Sequence, residues 1–214
     1  MRDFPIFTTD FGVSSLVLKE IPYKNAAYIH IRDVQKGFMK EHLEECVKFC
    51  RMAGADRIFA AGYGELDQYP LYMSVLQMRA DAWVDREKLC NLFPVTEQTV
   101  SRWRAIANER LRNVDNAATL ESRDEKEILS SGGAYFVHDN GTLLGIGWMK
   151  NTELLLLAGV KPGAGEKVMH SLMSLAEGAS VSLNVASTNT RAIHLYEKLG
   201  FVKTAVISTW YEVG

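Results

Sequence analysis

The residues best suited to chemistry lie in the segment 189–201, which reads N-x-x-A-x-x-L-Y-x-x-x-G-F. Its apolar residues have the spacing of one helix face and are predicted to be buried: Ala192, Leu195 and Leu199. Gly200 is suited to the left-handed turn that ends such a helix. An ordinary amphipathic helix does not account for Asn189 at its start or for Tyr196 in its middle. A phenol, with a reference pKa of about 10, is neutral at physiological pH and can protonate a developing thiolate. Tyr196 is therefore a candidate acid, with packing in the core as the alternative.

A second feature is the small-residue loop Gly163-Ala164-Gly165, between a predicted strand at 154–160 and a predicted helix at 166–177. Successive backbone N–H groups at the start of a helix, together with the helix dipole, can hold an anion. The loop has neither the G-K-[S/T] of a P-loop nor the glycine fingerprint of a dinucleotide-binding fold. The candidate phosphate donors are the N–H groups of Gly163, Ala164, Gly165 and Glu166, with charge added by Lys161 or Lys167.

Together these features resemble the GNAT superfamily of acyl-CoA-dependent N-acyltransferases. The second signature motif of that family is matched by the following residues: Asn189, Ala192, Leu195, Tyr196, Gly200 and Phe201. The predicted element order from 86 to 214 is also similar, with an opening strand, two helices, a hairpin, a strand, a helix, a strand, a helix and a closing hairpin. The phosphate motif of the family, Q/R-x-x-G-x-G/A, is matched only in part, because Val160 stands at its first position and the loop is several residues short.

The resemblance implies how acyl-CoA would be held. Asn189 would bind the pantetheine arm, and Tyr196 would donate a proton to the departing thiolate. The strand before the small-residue loop would diverge from the next strand, 181–186, and a main-chain N–H near Leu157 or Ala158 would polarise the thioester carbonyl. The residues expected to contact the cosubstrate acetyl-CoA are Leu157, Ala158, Val160, Gly163, Ala164, Gly165, Glu166, Lys167, Asn184 and Asn189.

A general base must remove a proton from the ammonium form of an amine acceptor. Glu153 occupies the family-like position at the start of the same strand, where a carboxylate acts through water; a solvated strand-end charge is the alternative. Weaker candidates for the base are His138 and His170. Three aromatic residues could line the acceptor pocket or simply pack within strands: Trp148, Trp210 and Tyr211.

Two further patterns have simpler explanations. His42, Cys46 and Cys50 are spaced four apart on a predicted helix, as zinc ligands could be, but both cysteines lie on its apolar face and no C-x₂-C pair is present. Buried thiols are therefore favoured, and no metal is expected. The segment 94–104 has some likeness to a DNA-recognition helix, but its partner helix is missing, and it is explained as the first GNAT-like helix.

The 214 residues alternate between predicted strands and predicted helices. The two halves align at an offset of 126 positions, which places the helix 38–52 on 164–178; chance similarity of two α/β units is the alternative. We predict an α/β protein with a GNAT-like, mixed but mostly antiparallel sheet flanked by helices. A truncated GNAT-like unit at 1–85 would precede a complete one at 86–214.

The first predicted unit lacks the catalytic helix. The offset carries Tyr196 onto Pro70 and Asn189 onto Tyr63, so neither chemical residue has a counterpart. We therefore predict that this unit is non-catalytic and serves packing, enclosure of substrate or pseudo-symmetric pairing.

Composition and charge exclude several classes of protein. Hydrophobic residues at 47% and charged residues at 23% are typical of a globular protein. A net charge of -2 argues against a nucleic-acid-binding protein, and no apolar run reaches the ~18 residues of a membrane span. Without a secretory signal, the three cysteines are interpreted as reduced thiols of a cytoplasmic protein. A homodimer is compatible with the sequence.

We therefore expect the 86–214 unit to transfer an acetyl group from acetyl-CoA to a primary amine of a small molecule or a protein. Because no cysteine lies in 91–214, direct attack in a ternary complex is expected rather than an acyl-cysteine intermediate. The alternative is a non-catalytic CoA-binding or regulatory module that keeps the fold. The incomplete phosphate motif favours this alternative, and the presence of both Asn189 and Tyr196 opposes it.

Overall fold

The computed structural model describes residues 5–62, 65–81 and 89–214. Its strands are β1 (Ile6–Thr8), β2 (Gly12–Val17), β3 (Ala26–Val34), β4 (Arg57–Gly62), β5 (Leu71–Ala80), β6 (Asn91–Pro94), β7 (Ala134–Asp139), β8 (Thr142–Lys150), β9 (Glu153–Gly159), β10 (Val181–Ala186) and β11 (Val202–Glu212). Its α-helices are α1 (Ile21–Lys24), α2 (Met39–Met52), α3 (Val100–Leu111), α4 (Glu125–Ser131), α5 (Gly165–Met173) and α6 (Thr190–Lys198). None of the helices in the described ranges has the length and apolar character needed to cross a membrane.

The described residues form two compact units. The residues up to Val75 and the segment Val206–Gly214 form the first unit, and Leu76–Ala205 form the second. Strands β5 and β11 therefore each contribute residues to both units. The predicted boundary at Asp85 lies outside the described residues, and so does Tyr63; the division into GNAT-like units at 1–85 and 86–214 stays a prediction.

The first unit contains a pair of parallel strands. Its strand order is β1-β2-β3-β4-β11-β5, and β3 and β4 are parallel neighbours joined through α2. The pairs β1–β2, β2–β3 and β4–β11 are antiparallel. Helix α2 packs on this unit because its apolar residues share one face: Met39, Leu43, Cys46 and Cys50.

The second unit has the strand order β6-β7-β8-β9-β10-β5-β11. Strands β6 to β9 are antiparallel neighbours, and β9 and β10 are parallel and joined through α5, so the sheet is mixed as predicted. The expected closing hairpin is wrong, because β11 is one continuous strand and β5 lies between it and β10. A strand from earlier in the chain thus takes the place of the second hairpin strand.

Helices cover both faces of the sheet in the second unit. Adjacent residues of a strand point to opposite faces, and the neighbours Phe136 and Val137 of β7 belong to different clusters. Val137 packs with α5 and α6, whereas Phe136 packs with α3 and α4. Trp103 of α3 is fully buried, and its indole N–H donates to the Tyr135 carbonyl at 3.0 Å.

Two glycines of β8 allow α5 to approach the sheet closely. A Cβ atom on Gly147 would lie 2.1 Å from Leu172 Cδ1, and one on Gly145 would lie 2.8 Å from Val168 Cγ2. Any side chain at these positions would collide with α5, since both distances are far inside van der Waals contact. The glycines therefore fix the position of α5 over the sheet and, with it, the position of the small-residue loop that precedes the helix.

His42 of α2 belongs to a buried hydrogen-bond cluster rather than to a metal site. Its Nδ1 lies 2.8 Å from Thr9 Oγ1, and its Nε2 lies 2.7 Å from Ser14 Oγ. Thr9 Oγ1 already accepts the N–H groups of Phe11 and Gly12, each at 3.1 Å, so its own proton is donated to Nδ1 and the imidazole hydrogen lies on Nε2. Both ring nitrogens are thus occupied. In the part of the chain that the structure describes, no three side chains are grouped as metal ligands.

We expect the protein to lose stability on acidification because of His42. Burial lowers the pKa of His42 below 6.5, and the negative charge of Glu45 opposes this only in part. The unfolded chain therefore binds a proton that the folded protein does not. The free energy of unfolding should then decrease as the pH falls below 6.5, by at most about 1.4 kcal/mol per pH unit.

Urea denaturation at a series of pH values measures this slope. The His42→Gln variant should have a flatter slope than the wild type on the acidic side. The matched control is His30→Gln, which changes an exposed histidine of the same unit and should leave the slope unchanged. A slope that is the same in His42→Gln and the wild type would contradict the assignment.

Candidate active site

Strands β9 and β10 separate shortly after they begin. They are paired in parallel only at Glu153 with Ser182 and at Leu154 with Leu183, although both strands continue for several more residues. The expected divergence of these strands is therefore confirmed. A gap opens between them beyond the paired residues.

A β-bulge in β9 accounts for the divergence. In the pairing with β8, Leu154 lies opposite Met149 and Leu156 lies opposite Trp148, so Leu155 is an extra residue in β9. A bulge bends its strand and interrupts the regular ladder. Because the bulge follows directly after the last residue that pairs with β10, we infer that it turns β9 away from its parallel neighbour.

Hydrogen bonds at the two ends of β8 show which of its residues bond to β9. The N–H of Met149 donates to the Gly133 carbonyl beside β7 at 2.8 Å, and the Leu144 carbonyl accepts the N–H of Val160, just after β9, at 2.8 Å. Successive residues of a central strand direct their main-chain groups to alternate neighbours. From Leu144 to Met149, the even-numbered residues of β8 therefore bond to β9 and the odd-numbered residues bond to β7; the register with β7 shifts before Gly145.

This alternation identifies the main-chain groups of β9 that face the gap. Ala158 lies opposite the even-numbered Ile146, so its N–H and C=O groups bond to β8. Leu157 lies opposite Gly147, and Gly159 lies opposite Gly145. The main-chain groups of Leu157 and Gly159 therefore point away from β8. Of the two expected donors to the thioester carbonyl, the register directs the N–H of Leu157 to the gap side and the N–H of Ala158 to β8.

The loop between β9 and α5 has fewer free N–H donors than the sequence predicts. The N–H groups of Val160 and Lys161 both donate to the Leu144 carbonyl, at 2.8 and 3.1 Å, and the N–H of Ala164 donates to the Lys161 carbonyl at 3.2 Å. Ala164, predicted as a phosphate donor, is thus already bonded within the loop. The bonds of α5 begin with the N–H of Val168, which donates to the Ala164 carbonyl at 3.0 Å. Of the remaining predicted donors, Gly165 and Glu166 lie in the first turn of α5.

Two ion pairs between a lysine and a carboxylate lie at this loop. Lys167 Nζ lies 2.7 Å from Asp139 Oδ2, and the hydrogen bond with Asp139 raises the pKa of Lys167 above 10.5. Lys198 Nζ, near the end of α6, lies 2.5 Å from Glu166 Oε2. An anion bound at this loop would have to compete with these carboxylates.

Asn189 is the cap of α6. Its Oδ1 accepts the N–H of Ala192 at 3.2 Å, which satisfies one of the unbonded donors at the helix start. This contact gives a structural reason for asparagine at the head of the motif, and its expected bond to pantetheine stays a prediction. Asn184, also expected at the site, is exposed on β10 directly after Leu183, the last residue paired with β9.

Tyr196 lies on the buried face of α6. Its side chain is 8% exposed, and its ring contacts Phe201 with the centroids 5.8 Å apart. Burial raises the pKa of Tyr196 to about 12. The hydroxyl therefore keeps its proton at physiological pH and can donate a hydrogen bond, which an acid catalyst at this position requires.

The candidates for the general base occupy different surroundings. Glu153 is half-buried at the paired end of β9 and lies opposite Lys150 of β8. His170 of α5 is buried, with 1% of its surface exposed. The ring of His138 packs edge-to-face on Phe93, with the centroids 5.1 Å apart. Of these three residues, Glu153 lies nearest along the chain to the gap, which begins after Leu154.

The three aromatic residues expected around the acceptor are not brought together within one unit. Trp148 is 6% exposed, and its indole N–H donates to Ser131 Oγ at 2.8 Å. Its ring packs edge-to-face on Trp103, so it is part of the core of the second unit. Trp210 and Tyr211 belong to the first unit, where Trp210 packs on Tyr28.

Three contributors to the site are missed by sequence reasoning. Two glycines spaced two apart, Gly145 and Gly147, are a signal for close approach to a strand and could have been found. The bulge at Leu155 could not, because the run of leucines 154–157 has no alternation from which a slip in register can be detected. The ion pair between Glu166 and Lys198 depends on the packing of two helices, so no local pattern in the sequence indicates it.

Solved structures share this architecture. A functionally unknown conserved protein from Staphylococcus epidermidis matches with a TM-score of 0.59 at 13% identity, over 99% of this chain and 94% of its own. A GCN5-related N-acetyltransferase from Anabaena variabilis matches with a TM-score of 0.57 at 8% identity, over 94% of this chain and 59% of its own. A GNAT-family acetyltransferase from Colwellia psychrerythraea matches with a TM-score of 0.51 at 13% identity, over 98% of this chain and 84% of its own.

The chain has the GNAT fold. At these identities the likeness establishes the fold. No protein-family model matches the sequence, and no curated protein sequence matches it.

Proposed function

We propose that the second unit binds acetyl-CoA in the gap between β9 and β10 and transfers its acetyl group to a primary amine of a small molecule or a protein. One observation carries this proposal: β9 and β10 pair at only two residues each and then leave a gap. From the register with β8 we infer that the main-chain N–H of Leu157 is directed to this gap. Parallel neighbours in a sheet normally bond to one another along their length. The gap instead leaves amide donors and acceptors for the pantetheine amides and for the thioester carbonyl.

The reaction would proceed by direct attack in a ternary complex. The neutral amine attacks the thioester carbon, a C–N bond forms, and negative charge develops on the carbonyl oxygen, where the N–H of Leu157 donates a hydrogen bond. Glu153, acting through water, removes the proton of the ammonium form before the attack, and the attacking nitrogen loses its second proton to water as the intermediate forms. Collapse of the intermediate breaks the C–S bond, and Tyr196 donates its proton to the departing thiolate and regains one from solvent. The products are the acetylated amine and CoA.

The burial of Tyr196 is the observation that favours a second candidate function. A phenol whose pKa is about 12 is a weaker proton donor than an unperturbed phenol with a pKa of about 10. A module that binds CoA without turnover would require only the gap and the loop. The two functions differ in one measurable property, the release of free thiol from acetyl-CoA.

Under the predicted offset of 126 positions, β3 and β4 of the first unit take the places of β9 and β10. Strands β3 and β4 are paired in parallel over six residues each. The offset of 126 positions places Leu157 on Ile31, and a Cβ atom on Gly62 would lie 2.2 Å from the Ile31 carbonyl oxygen. Strand β4 thus covers the main chain whose counterpart in β9 faces the gap. This supports a non-catalytic first unit and a single acetyl-CoA per chain.

Isothermal titration calorimetry with acetyl-CoA tests the proposal. We expect a stoichiometry of about one per chain, since of the two parallel strand pairs in the described ranges, β9–β10 separates and β3–β4 stays paired. Addition of primary amines, from diamines to lysine-containing peptides, should then release free thiol. Absence of binding would overturn both candidate functions, and a stoichiometry near two would contradict the closed first unit. Binding without thiol release from any amine would favour the non-catalytic module.

A further inference from the structure

A cavity of about 550 Å³ lies in the first unit beside the carboxyl end of β4. Its described lining residues all belong to this unit, and none of them takes part in the proposed reaction. They come from the middle of β3, from the segment that follows β4, and from β11. This volume is in the range of cavities that hold small organic molecules.

The cavity lies where two antiparallel strands separate. Strands β4 and β11 are paired at Tyr211 with Ala60, and among the described residues their ladder extends no further in this direction, although β4 continues to Gly62. In a continuous ladder Gly62 would lie opposite Thr209, and both residues instead line the cavity. Space for a ligand therefore replaces a section of the sheet.

Main-chain groups of β11 contribute to the wall of the cavity. The N–H of Val213 donates to the Ile58 carbonyl, on the β4 side, at 2.9 Å, and the N–H of Glu212 donates at 2.9 Å to the carbonyl that precedes β5. Successive residues of a central strand direct these groups to alternate neighbours. Continued along β11, this alternation directs the main-chain groups of Ile207 and Thr209 toward the cavity.

The charged side chains of the cavity favour a cationic ligand. Glu65 and Asp67 line it and are exposed to solvent, and no lysine or arginine is among its described lining residues. Within the described ranges neither carboxylate is paired with a cation, so the two together attract cations and repel anions. The described side chains contain no group of three metal ligands. Glu65, Asp67 and His30, which also lines the cavity, are therefore not arranged around a metal ion.

Apolar side chains form other parts of the wall. Leu66 lies between the two carboxylates in sequence, is 3% exposed and belongs to the core that packs on α2. Val206 and Ile207 line the cavity from β11 and are themselves half-exposed. Because the burial of aliphatic carbon against such side chains is favourable, the cavity suits a ligand that carries both a positive charge and an apolar chain.

We propose that this cavity binds a small aliphatic amine in its protonated form. The ammonium group lies at Glu65 and Asp67, and the carbon chain packs on Leu66 and Ile207. This inference goes beyond the proposed function, because the binding requires neither acetyl-CoA nor a reaction. It gives the first unit a binding role of its own.

Titration of the full chain with hexylammonium chloride, followed by the NMR signals of the histidine side chains, tests this proposal. His30 lines the cavity, and its signals are those that are missing from the His30→Gln variant. We expect hexylammonium to shift the His30 signals until they saturate. Hexanol, which has the same carbon chain without the charge, should bind at least about tenfold more weakly, and the affinity for hexylammonium should decrease with added salt.

The Asp67→Asn and Glu65→Gln variants keep the size of each side chain and remove its charge. Each should weaken hexylammonium binding about fivefold, as for one charge contact in a solvated site. The matched control is Asp56→Asn, which alters the net charge equally on an exposed residue at the other end of β4 and should leave the affinity unchanged. Circular dichroism of each variant verifies that it is folded.

Three results would overturn the proposal. The first is that hexylammonium leaves the His30 signals of the wild type unshifted. The second is that hexanol binds as tightly as hexylammonium, since the carboxylates would then contribute nothing. The third is that Asp56→Asn weakens binding as much as Asp67→Asn, which would indicate a general effect of surface charge rather than a site in the cavity.

Discussion

The Tyr196→Phe variant is expected to lose about 10²- to 10⁴-fold in kcat, the range attributed to a positioned acid catalyst, with little change in its affinity for acetyl-CoA. The substitution removes one hydroxyl and keeps the ring that packs on Phe201. Because burial raises the pKa of Tyr196 to about 12, the wild-type hydroxyl carries its proton throughout the physiological range. Thiol release at saturating amine measures kcat, and calorimetry measures the affinity.

The matched control for this variant is Tyr135→Phe, which removes the hydroxyl of a half-buried tyrosine on β7 and should leave kcat unchanged. The pH dependence of stability gives a second readout. A pKa raised in the folded state stabilises the protein fully below pH 10, and this contribution is lost as the pH rises through about 12. Tyr196→Phe should lack this loss. A kcat within about twofold of the wild type would remove Tyr196 from the mechanism.

A loss of about 10²- to 10³-fold in kcat is expected for Leu157→Pro, the range found when a single oxyanion donor is removed. Proline has no N–H, and this N–H faces the gap rather than β8. The substitution therefore costs no hydrogen bond of the ladder, which is the condition under which a strand tolerates proline. The same kinetic assay measures the effect.

The Leu157→Ala variant separates the contribution of the main-chain N–H from that of the side chain. It removes the packing of the leucine but keeps the N–H group, so it should retain most of the wild-type kcat. Thermal unfolding of both variants establishes that each is folded at the assay temperature. Equal kcat values for Leu157→Pro and Leu157→Ala would show that the main-chain N–H of this residue takes no part in the reaction.

Helix periodicity in the sequence predicts much of the local structure. The predicted helices at 38–52, 98–112 and 189–199 are confirmed to within two residues at each end, because an apolar face repeating every three to four residues has few alternative structures. Strand neighbours are harder to predict. Strand β5 is not predicted from the sequence, and nothing in the residues of β5 or β11 specifies that these two strands lie beside one another. Such pairing depends on the whole chain rather than on local pattern.

The candidate site, like the fold, can be predicted from the sequence only in part. The motif identifies Tyr196 and Asn189 as unusual, yet the sequence cannot separate a cofactor contact from the helix cap that Asn189 provides. It also places the thioester donor at Leu157 or Ala158 without a choice between them. That choice depends on the register with β8, and a shift of one residue would reverse it. Register is set by tertiary pairing, so only the structure resolves it.

The placement of the last residues has a consequence for biosynthesis. In the first unit, Tyr211 and Glu212 pair with Ala60 and Phe59, so its sheet includes residues from much later in the chain. A ribosome delivers Val206–Gly214 only after it has translated the whole of Leu76–Ala205, and contacts so distant in sequence form slowly. The first unit therefore cannot complete its sheet before the second unit has been synthesised. A nonsense codon just before residue 206 would thus remove strand residues from the first unit, although its residues up to Val75 had all been translated.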